Sequence, residues 1–176
     1  MNKAIFIDRD GIINQSNVID GKPHAPLFFS DFILLNKVKE AFLEIKSKGY
    51  LSIVITNQPN LSPKKGTLCA NEVSKMHNLL RQDLGVDEIY VCPHVDDDNC
   101  NCRKPKIGSI IKAQEKYNLD LGSSFMIGDR LQDIECANNA GLKGAFFVDY
   151  NYTESKTGTS PKCIVVKSLY DICSFI

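Results

Sequence analysis

Short apolar runs alternate with amphipathic segments along this chain, a pattern that predicts strands and helices in turn. The apolar runs predict buried strands over Lys3–Ile7, Leu51–Thr56, Glu88–Cys92, Ser124–Ile127, Ala145–Val148 and Ile164–Val166. Helical spacing predicts four apolar helix faces: Val38, Ala41, Phe42 and Ile45; Val73, Met76, Leu79 and Leu80; Ile107, Ile110 and Ile111; Leu131, Ile134, Ala137 and Ala140. Pro105 suits the first turn of the third helix. The alternation indicates an α/β protein whose parallel sheet carries helices on both faces.

Three segments interrupt this rhythm and are expected to be loops: Ile12–Asp31, Pro59–Ala70 and Pro93–Lys104. Long loops in a compact domain are usually functional. Two of them follow strands whose ends carry candidate catalytic residues, so we expect substrate loops there. The polar segment Thr153–Lys162 is expected to be a surface loop with no evident role.

The composition is that of an ordinary globular protein, and 176 residues predict a single domain over 1–176. The 21 basic and 21 acidic side chains cancel, which argues against partners such as nucleic acid or an anionic membrane.

No signal-peptide pattern and no apolar run of about 18 residues is present. With seven cysteines, the sequence therefore predicts a protein of the reducing cytoplasm. We expect a monomer by default.

Two aspartates, Asp8 and Asp10, directly follow the first predicted strand. Ligands of open α/β sheets bind at the carboxyl ends of the strands. Two carboxylates this close are hard to keep ionised without a cation. The pair therefore predicts a divalent metal and an anionic substrate, although a strand-end Asp followed by an Asp-Gly turn is the plain alternative.

Further polar residues follow other predicted strands at the same edge. Thr56, Asn57 and Gln58 end the second strand, where a hydroxyl and amides can donate to phosphate oxygens. Arg103 and Lys104 precede Pro105 at a predicted helix start, where anions are favoured. Asp129 follows Gly128 at the end of the fourth strand and is the better metal ligand, whereas Asp133 could cap the helix or pair locally.

Three thiols and one imidazole, those of Cys92, His94, Cys100 and Cys102, lie within eleven residues. A Cys₃His set is a common composition for a closed structural Zn²⁺ site. The alternative is one buried cysteine with surface thiols beside the acidic run Asp96–Asp98. We expect zinc in the loop 92–104, because four soft ligands in a polar loop have little packing purpose.

These motifs resemble the haloacid dehalogenase (HAD) superfamily of aspartate-nucleophile phosphatases. Asp8-x-Asp10 matches its first motif, Thr56 the second, Lys104 the third and Gly128-Asp129-x-x-x-Asp133 the fourth. The zinc ligands and the strings Thr56-Asn57-Gln58 and Arg103-Lys104-Pro105 are similar to the branch that contains heptose-bisphosphate and histidinol-phosphate phosphatases. That branch implies a capless, three-layer Rossmann-like fold with magnesium and a structural zinc loop.

The resemblance also implies a role for each matched residue. Asp8 would be the nucleophile and Asp10 the general acid/base. Mg²⁺ would be held by the Asp8 carboxylate, the Asp10 carbonyl and Asp129. Thr56 and Lys104 would hold the transferring phosphoryl group. Arg103 and Arg130 would contact the distal part of the substrate, and Asn57 and Gln58 are further candidate substrate-binding residues.

The resemblance implies a phosphorylated sugar as substrate, with the 7-phosphate of a heptose 1,7-bisphosphate for surface-glycan synthesis favoured. The chain departs from the family in the loop after Gln58, where an arginine is missing and Lys64 or Lys65 could substitute. Lysine lacks the planar fork of arginine, so the sugar and its anomer stay open. Arg130 also stands where many of these enzymes have lysine.

Three other functions compete with this interpretation. Histidinol phosphate carries an ammonium and an imidazole, which would favour carboxylates, whereas the cations Lys22, Arg103 and Arg130 favour a bisphosphate. A phospho-accepting receiver domain would place its acceptor after the third strand, where this chain has its zinc loop. A purely structural zinc protein would leave Asp8 and Asp129 unexplained.

Overall fold

The computed structural model describes residues 1–65, 70–153 and 163–176. Within these ranges the strands are Lys3–Ile7 (β1), Asn17–Ile19 (β2), Lys22–His24 (β3), Tyr50–Asn57 (β4), Glu88–Cys92 (β5), Phe125–Gly128 (β6), Gly144–Val148 (β7) and Cys163–Val166 (β8). The α-helices are Val38–Ser47 (α1), Ala70–Asp83 (α2), Gly108–Tyr117 (α3) and Leu131–Asn139 (α4). None of the helices described is long and apolar enough to cross a bilayer.

Six strands form one parallel sheet in the order β5-β4-β1-β6-β7-β8. All six are the strands that the apolar runs predict, with ends that differ by one residue at most. β1 lies between β4 and β6, so the carboxyl ends of these three strands are neighbours. The residues that follow β1, β4 and β6 therefore meet at one edge of the sheet.

Helices cover both faces of the sheet, which gives three layers. Alternate residues of β1 point to opposite faces, as expected for an extended strand. Ile5 and Ile7 join one hydrophobic core, together with the buried faces of α1 and α2. Ala4 and Phe6 join the other core, together with α3 and α4. Most residues of the predicted apolar faces are buried, and His77 takes a further buried place on α2. The face residues that are only partly buried are Leu79, Ile107, Ile111, Leu131 and Ala140.

Two predictions about local structure are wrong. The segment Ile12–Asp31 is not all loop, because β2 and β3 form an antiparallel hairpin within it. Asp20 and Gly21 make its two-residue turn with φ values of +51° and +72°, and Asp-Gly is a preferred pair for such a turn. The strands were not predicted because they are short and largely exposed. The third helix begins at Gly108, so Pro105 lies before it and not in its first turn.

The other segments that were expected to be irregular are described in part. A single 3₁₀ turn over Pro59–Leu61 follows β4, and another over Asp96–Asp98 lies in the loop that joins β5 to α3. Cys69 and most of Thr153–Lys162 lie outside the described residues. Among the described cysteines outside the Cys₃His set, Cys136 and Cys173 are buried and Cys163 is half-buried.

Candidate active site

Three buried carboxylates meet at the edge of the sheet that β1 and β6 share. Asp8 follows β1, and its backbone N–H donates to the carbonyl of Ile127 in β6 at 2.9 Å. Asp129 follows β6, and Asp133 lies one turn into α4. One oxygen from each of the three side chains lies within 4.8 Å of the others. The parallel sheet thus concentrates negative charge at one point.

Two glycines allow this close approach. Gly11 has a φ of +87°, and a Cβ there would lie 2.0 Å from Oδ2 of Asp129. A Cβ on Gly128 would lie 2.2 Å from Oδ2 of Asp133. Any larger residue at either position would displace a carboxylate. Glycine at positions 11 and 128 is therefore a geometric requirement of the site.

Lys104 lies between two of the carboxylates. Its ammonium is 2.8 Å from Oδ1 of Asp8 and 2.7 Å from Oδ1 of Asp133. Burial alone would lower the pKa of Lys104, but the charges of Asp133 and Asp8 outweigh burial and raise it above its ordinary value. Asn57 fixes the backbone of this lysine, since its Oδ1 accepts from the Lys104 N–H at 3.1 Å and its Nδ2 donates to the Lys104 carbonyl at 3.2 Å. This permanently charged group can hold an anion against Asp8.

Asp10 is oriented by three side chains. The guanidinium of Arg9 donates to both carboxylate oxygens of Asp10 at 3.0 Å. Asn14 Nδ2 donates to Oδ1 at 3.0 Å, and Gln58 Nε2 donates to Oδ2 at 2.7 Å. Gln58 also donates to the Thr56 hydroxyl at 2.8 Å. The Asp10 carboxylate is therefore held in one orientation beside the Asp8 cluster.

Arg9 is fully buried, and it reaches from Asp10 to α2. Its Nη1 lies 3.2 Å from Nε2 of His77, which can accept this hydrogen bond only in the neutral form. Burial lowers the pKa of His77 to about 4, and the charges of Arg9 and Arg81 add to this effect. Helix α2 thereby supports the orientation of Asp10.

Among the residues that the structure describes, the charges of this region do not balance. Four carboxylates meet two cations, namely Asp8, Asp10, Asp129 and Asp133 against Arg9 and Lys104. With protein groups alone, burial raises the pKa of Asp8 to about 6, with Lys104 opposing the shift and Asp133 and Asp10 adding to it. Burial and the charge of Asp8 likewise raise the pKa of Asp129.

These residues fit a hard divalent cation. Oδ1 of Asp129 is buried and accepts no hydrogen bond from any residue that the structure describes. Carboxylate and carbonyl oxygens are the ligands that Mg²⁺ prefers. An ion of charge +2 would also offset the excess of two negative charges.

The four predicted zinc ligands converge after β5. Sγ of Cys100 is 3.7 Å from Sγ of Cys92 and 3.6 Å from Sγ of Cys102. Nδ1 of His94 is 3.6 Å from Cys92 and 3.3 Å from Cys102. Tetrahedral Zn²⁺ with ordinary bond lengths places S···S pairs about 3.8 Å and S···N pairs about 3.5 Å apart. The four groups therefore fit one tetrahedral ion.

The mouth of the cleft is basic. A cleft of about 240 Å³ opens above Asp8, and its polar lining includes Lys22, His24, Lys65, Arg103 and Arg130. Lys64 instead pairs with Asp98. Of the two lysines that could substitute for the family arginine, only Lys65 thus lines the cleft. The acidic run is partly neutralised as well, because Arg103 pairs with Asp96.

The structure brings together most of the residues that the sequence singles out, but not always as expected. Asp8, Asp10, Thr56, Lys104 and Asp129 meet at one sheet edge, and Arg103 and Arg130 line the mouth. Gln58 is fully buried and bonded to Asp10, so its position favours orienting the site over contacting substrate.

Sequence reasoning missed several supporting residues: Arg9, Asn14, His77, Tyr152 and, as a partner of Lys104, Asp133. Only Arg9 had a signal in the sequence, because it lies between Asp8 and Asp10, whose negative charges can pair with it.

Comparisons with known proteins agree with this geometry. A HAD-hydrolase-like family model matches residues 101–172. The D-glycero-beta-D-manno-heptose-1,7-bisphosphate 7-phosphatase of Haemophilus ducreyi is 31% identical, over 99% of this chain and 98% of that protein. The D-glycero-alpha-D-manno-heptose-1,7-bisphosphate 7-phosphatase of Campylobacter jejuni is 34% identical, over 80% of this chain and 78% of that protein.

A solved structure is similar over almost the whole chain. It is the D,D-heptose 1,7-bisphosphate phosphatase of B. bronchiseptica complexed with magnesium and phosphate, with a TM-score of 0.83 and 26% identity over 98% of this chain and 97% of that one. The chain belongs to the HAD-like hydrolases. Within that class, the relatives named here are heptose-bisphosphate phosphatases.

The lowered pKa of the buried His77 predicts how the free energy of unfolding depends on pH. Its folded pKa, about 4, lies below its ordinary value of 6.5, so between these values the unfolded chain binds more protons. The free energy of unfolding should therefore fall as the pH drops from 6.5 towards 4, by up to about 3 kcal/mol from this group.

His77→Gln keeps an oxygen acceptor for Arg9 but cannot titrate. Urea unfolding, followed by circular dichroism at pH 7 and pH 4.5, should show a smaller acid-induced loss of stability in this variant than in the wild type. His24→Gln, at an exposed position, should keep the wild-type dependence. Parallel pH curves for His77→Gln and the wild type would contradict this account.

Proposed function

We propose that this protein is a Mg²⁺-dependent phosphatase that removes the 7-phosphate of D-glycero-D-manno-heptose 1,7-bisphosphate. The observation that carries the proposal is the cluster of Asp8, Asp129 and Lys104 at one sheet edge, beneath a basic cleft. Full-length relatives that carry this enzyme name support the choice of substrate.

Asp8 is the nucleophile in this proposal. One of its oxygens attacks phosphorus in line, the bond from phosphorus to the sugar oxygen breaks, and an aspartyl-phosphate forms. Asp10, entering as the carboxylic acid, gives its proton to the leaving alkoxide. As the carboxylate it then takes a proton from the water that attacks phosphorus, and the bond from phosphorus to the Asp8 oxygen breaks to release inorganic phosphate. Arg9, Asn14 and Gln58 donate to the Asp10 carboxylate and so hold the base form in place for the second transfer.

Charge on the transferring group is offset by fixed donors. Lys104 would stabilise the equatorial oxygens electrostatically, and the hydroxyl of Thr56, near the end of β4, would donate to them. Asp8, Asp129 and the Asp10 carbonyl would hold Mg²⁺. When bound, the ion neutralises the phosphate and lowers the repulsion between it and the Asp8 carboxylate.

The basic mouth supports a substrate with a second phosphate. The far end of a heptose bisphosphate would lie in the same cleft as Asp8, which Lys65, Arg130 and Arg103 also line, with the charge of Arg103 already shared with Asp96. Histidinol phosphate would instead place an ammonium there. The nearby carboxylates of Asp96 and Asp98 already pair with Arg103 and Lys64. The bisphosphate is therefore favoured.

Phosphate release tests the function directly. With Mg²⁺, the wild type should release one phosphate per molecule from the alpha or the beta anomer of the heptose 1,7-bisphosphate, and little from histidinol phosphate. Relatives of both anomer names exist, so the ratio of kcat/KM between anomers assigns the specificity. Faster release from histidinol phosphate would contradict the proposed substrate.

The Asp8→Asn variant tests the nucleophile in the same assay. The amide cannot attack phosphorus, so kcat should fall at least about 10³-fold, as for other nucleophile replacements. Asp83→Asn, an equivalent change at an exposed position near the end of α2, should keep full activity. Near-normal turnover in Asp8→Asn would reject the mechanism.

A structural Zn²⁺ in the Cys₃His cluster is the second metal of the proposal. Burial raises the pKa of the Cys92 thiol to about 12, so a thiolate ligand at neutral pH needs a cation beside it. The loop leads directly into Arg103 and Lys104. Zinc would thereby fix the cleft and the phosphate-binding lysine, without an open position for chemistry.

Metal analysis of purified variants checks this assignment. Cys102→Ser should lose the zinc, about one ion per chain in the wild type, and should lose activity because Lys104 is no longer positioned. Cys163→Ser, on β8 and outside the cluster, should retain both. Full zinc content in Cys102→Ser would contradict the site.

A further inference from the structure

The segment after β7 reaches back to the metal-binding edge of the sheet. The hydroxyl of Tyr152 donates to Oδ2 of Asp129 at 3.0 Å. Two residues earlier, the hydroxyl of Tyr150 donates to the carbonyl of Gly11 at 2.9 Å. The two rings lie 5.5 Å apart. One short segment thus contacts a carboxylate of the site and the loop that follows the nucleophile.

The same segment is held from the other side. The N–H of Thr153 donates to the carbonyl of Gly21, in the turn of the β2–β3 hairpin, at 3.0 Å. That hairpin contributes Lys22 and His24 to the cleft. The position of Tyr152 is therefore fixed by contacts before and after it along the chain.

The two oxygens of Asp129 differ in their surroundings. Oδ2 touches the Tyr152 hydroxyl and faces Gly11, where a Cβ would come within 2.0 Å. Oδ1 is buried and has no hydrogen-bond partner in the described parts of the chain. One oxygen is thus confined while the other is left to bind a ligand, and the carboxylate cannot rotate without losing the Tyr152 contact.

We propose that Tyr152 is a positioning residue for Mg²⁺. Its hydrogen bond to Oδ2 fixes the Asp129 carboxylate in the orientation that presents Oδ1 to the ion. The inference rests on the Mg²⁺ site of the proposed function. Hydrogen-bond partners of metal ligands orient those ligands, and their loss typically costs 10- to 100-fold in metal affinity or activity. Tyr152 offers one such bond.

Mg²⁺ binding to the whole protein, measured by calorimetry without substrate, tests the inference. Tyr152→Phe removes only the hydroxyl, and the Mg²⁺ dissociation constant should rise about 10-fold. At saturating Mg²⁺, kcat should remain close to that of the wild type, because Tyr152 is not among the residues that line the cleft above Asp8. Tyr150→Phe is the matched control, since it removes a hydroxyl from the same segment that bonds Gly11, and it should leave the Mg²⁺ affinity unchanged.

Some outcomes would overturn only the role of Tyr152, and one would also reject the proposed Mg²⁺ site. An unchanged dissociation constant in Tyr152→Phe, or an equal loss of affinity in both variants, would overturn the inference and leave the proposed function standing. A lower kcat with unchanged Mg²⁺ affinity would also overturn it. Failure of the wild type to bind Mg²⁺ would instead reject the metal site of the proposed function, and the inference with it.

Discussion

Buried negative charge is the constraint around which the site is built. Asp8, Asp129 and Asp133 bring their oxygens within 4.8 Å of one another at the end of two adjacent strands. The ammonium of Lys104 offsets part of this charge because it forms ion pairs with Asp8 and Asp133. Burial, with the charges of Asp133 and Asp10 adding to it, raises the pKa of Asp8 to about 6 even though Lys104 opposes the shift. A further cation would stabilise the ionised form of this cluster, and the same cation would draw in a phosphate.

The rest of the fold serves to keep these groups together. Parallel pairing of β1 with β4 and β6 sets the strand ends side by side. Asn57 ties the backbone of Lys104 to the end of β4, and the Cys₃His loop holds the chain just before that lysine. Arg9 and His77 join Asp10 to α2. Each catalytic candidate thus depends on a second group that fixes its direction.

The sequence could predict the sheet and the positions of the catalytic candidates, because both follow from local patterns. An apolar run predicts a strand, and Asp8, Thr56 and Asp129 lie where such runs end. The partners of these side chains could not be predicted. Whether Gln58 points into the cleft or under Asp10 depends on packing between distant elements, and Tyr152 reaches Asp129 from a segment without periodicity. The exposed β2–β3 hairpin had only its Asp-Gly turn as a signal.

The most direct test of the account is a crystal structure of the protein grown with Mg²⁺ and inorganic phosphate. The charge excess predicts one ion bound about 2.0–2.1 Å from oxygens of Asp8, Asp129 and the Asp10 backbone, with the phosphate between the ion, Lys104 and Asp8. An ion bound elsewhere would contradict this prediction. So would a structure at saturating Mg²⁺ in which the carboxylates of Asp8, Asp129 and Asp133 hold no ion.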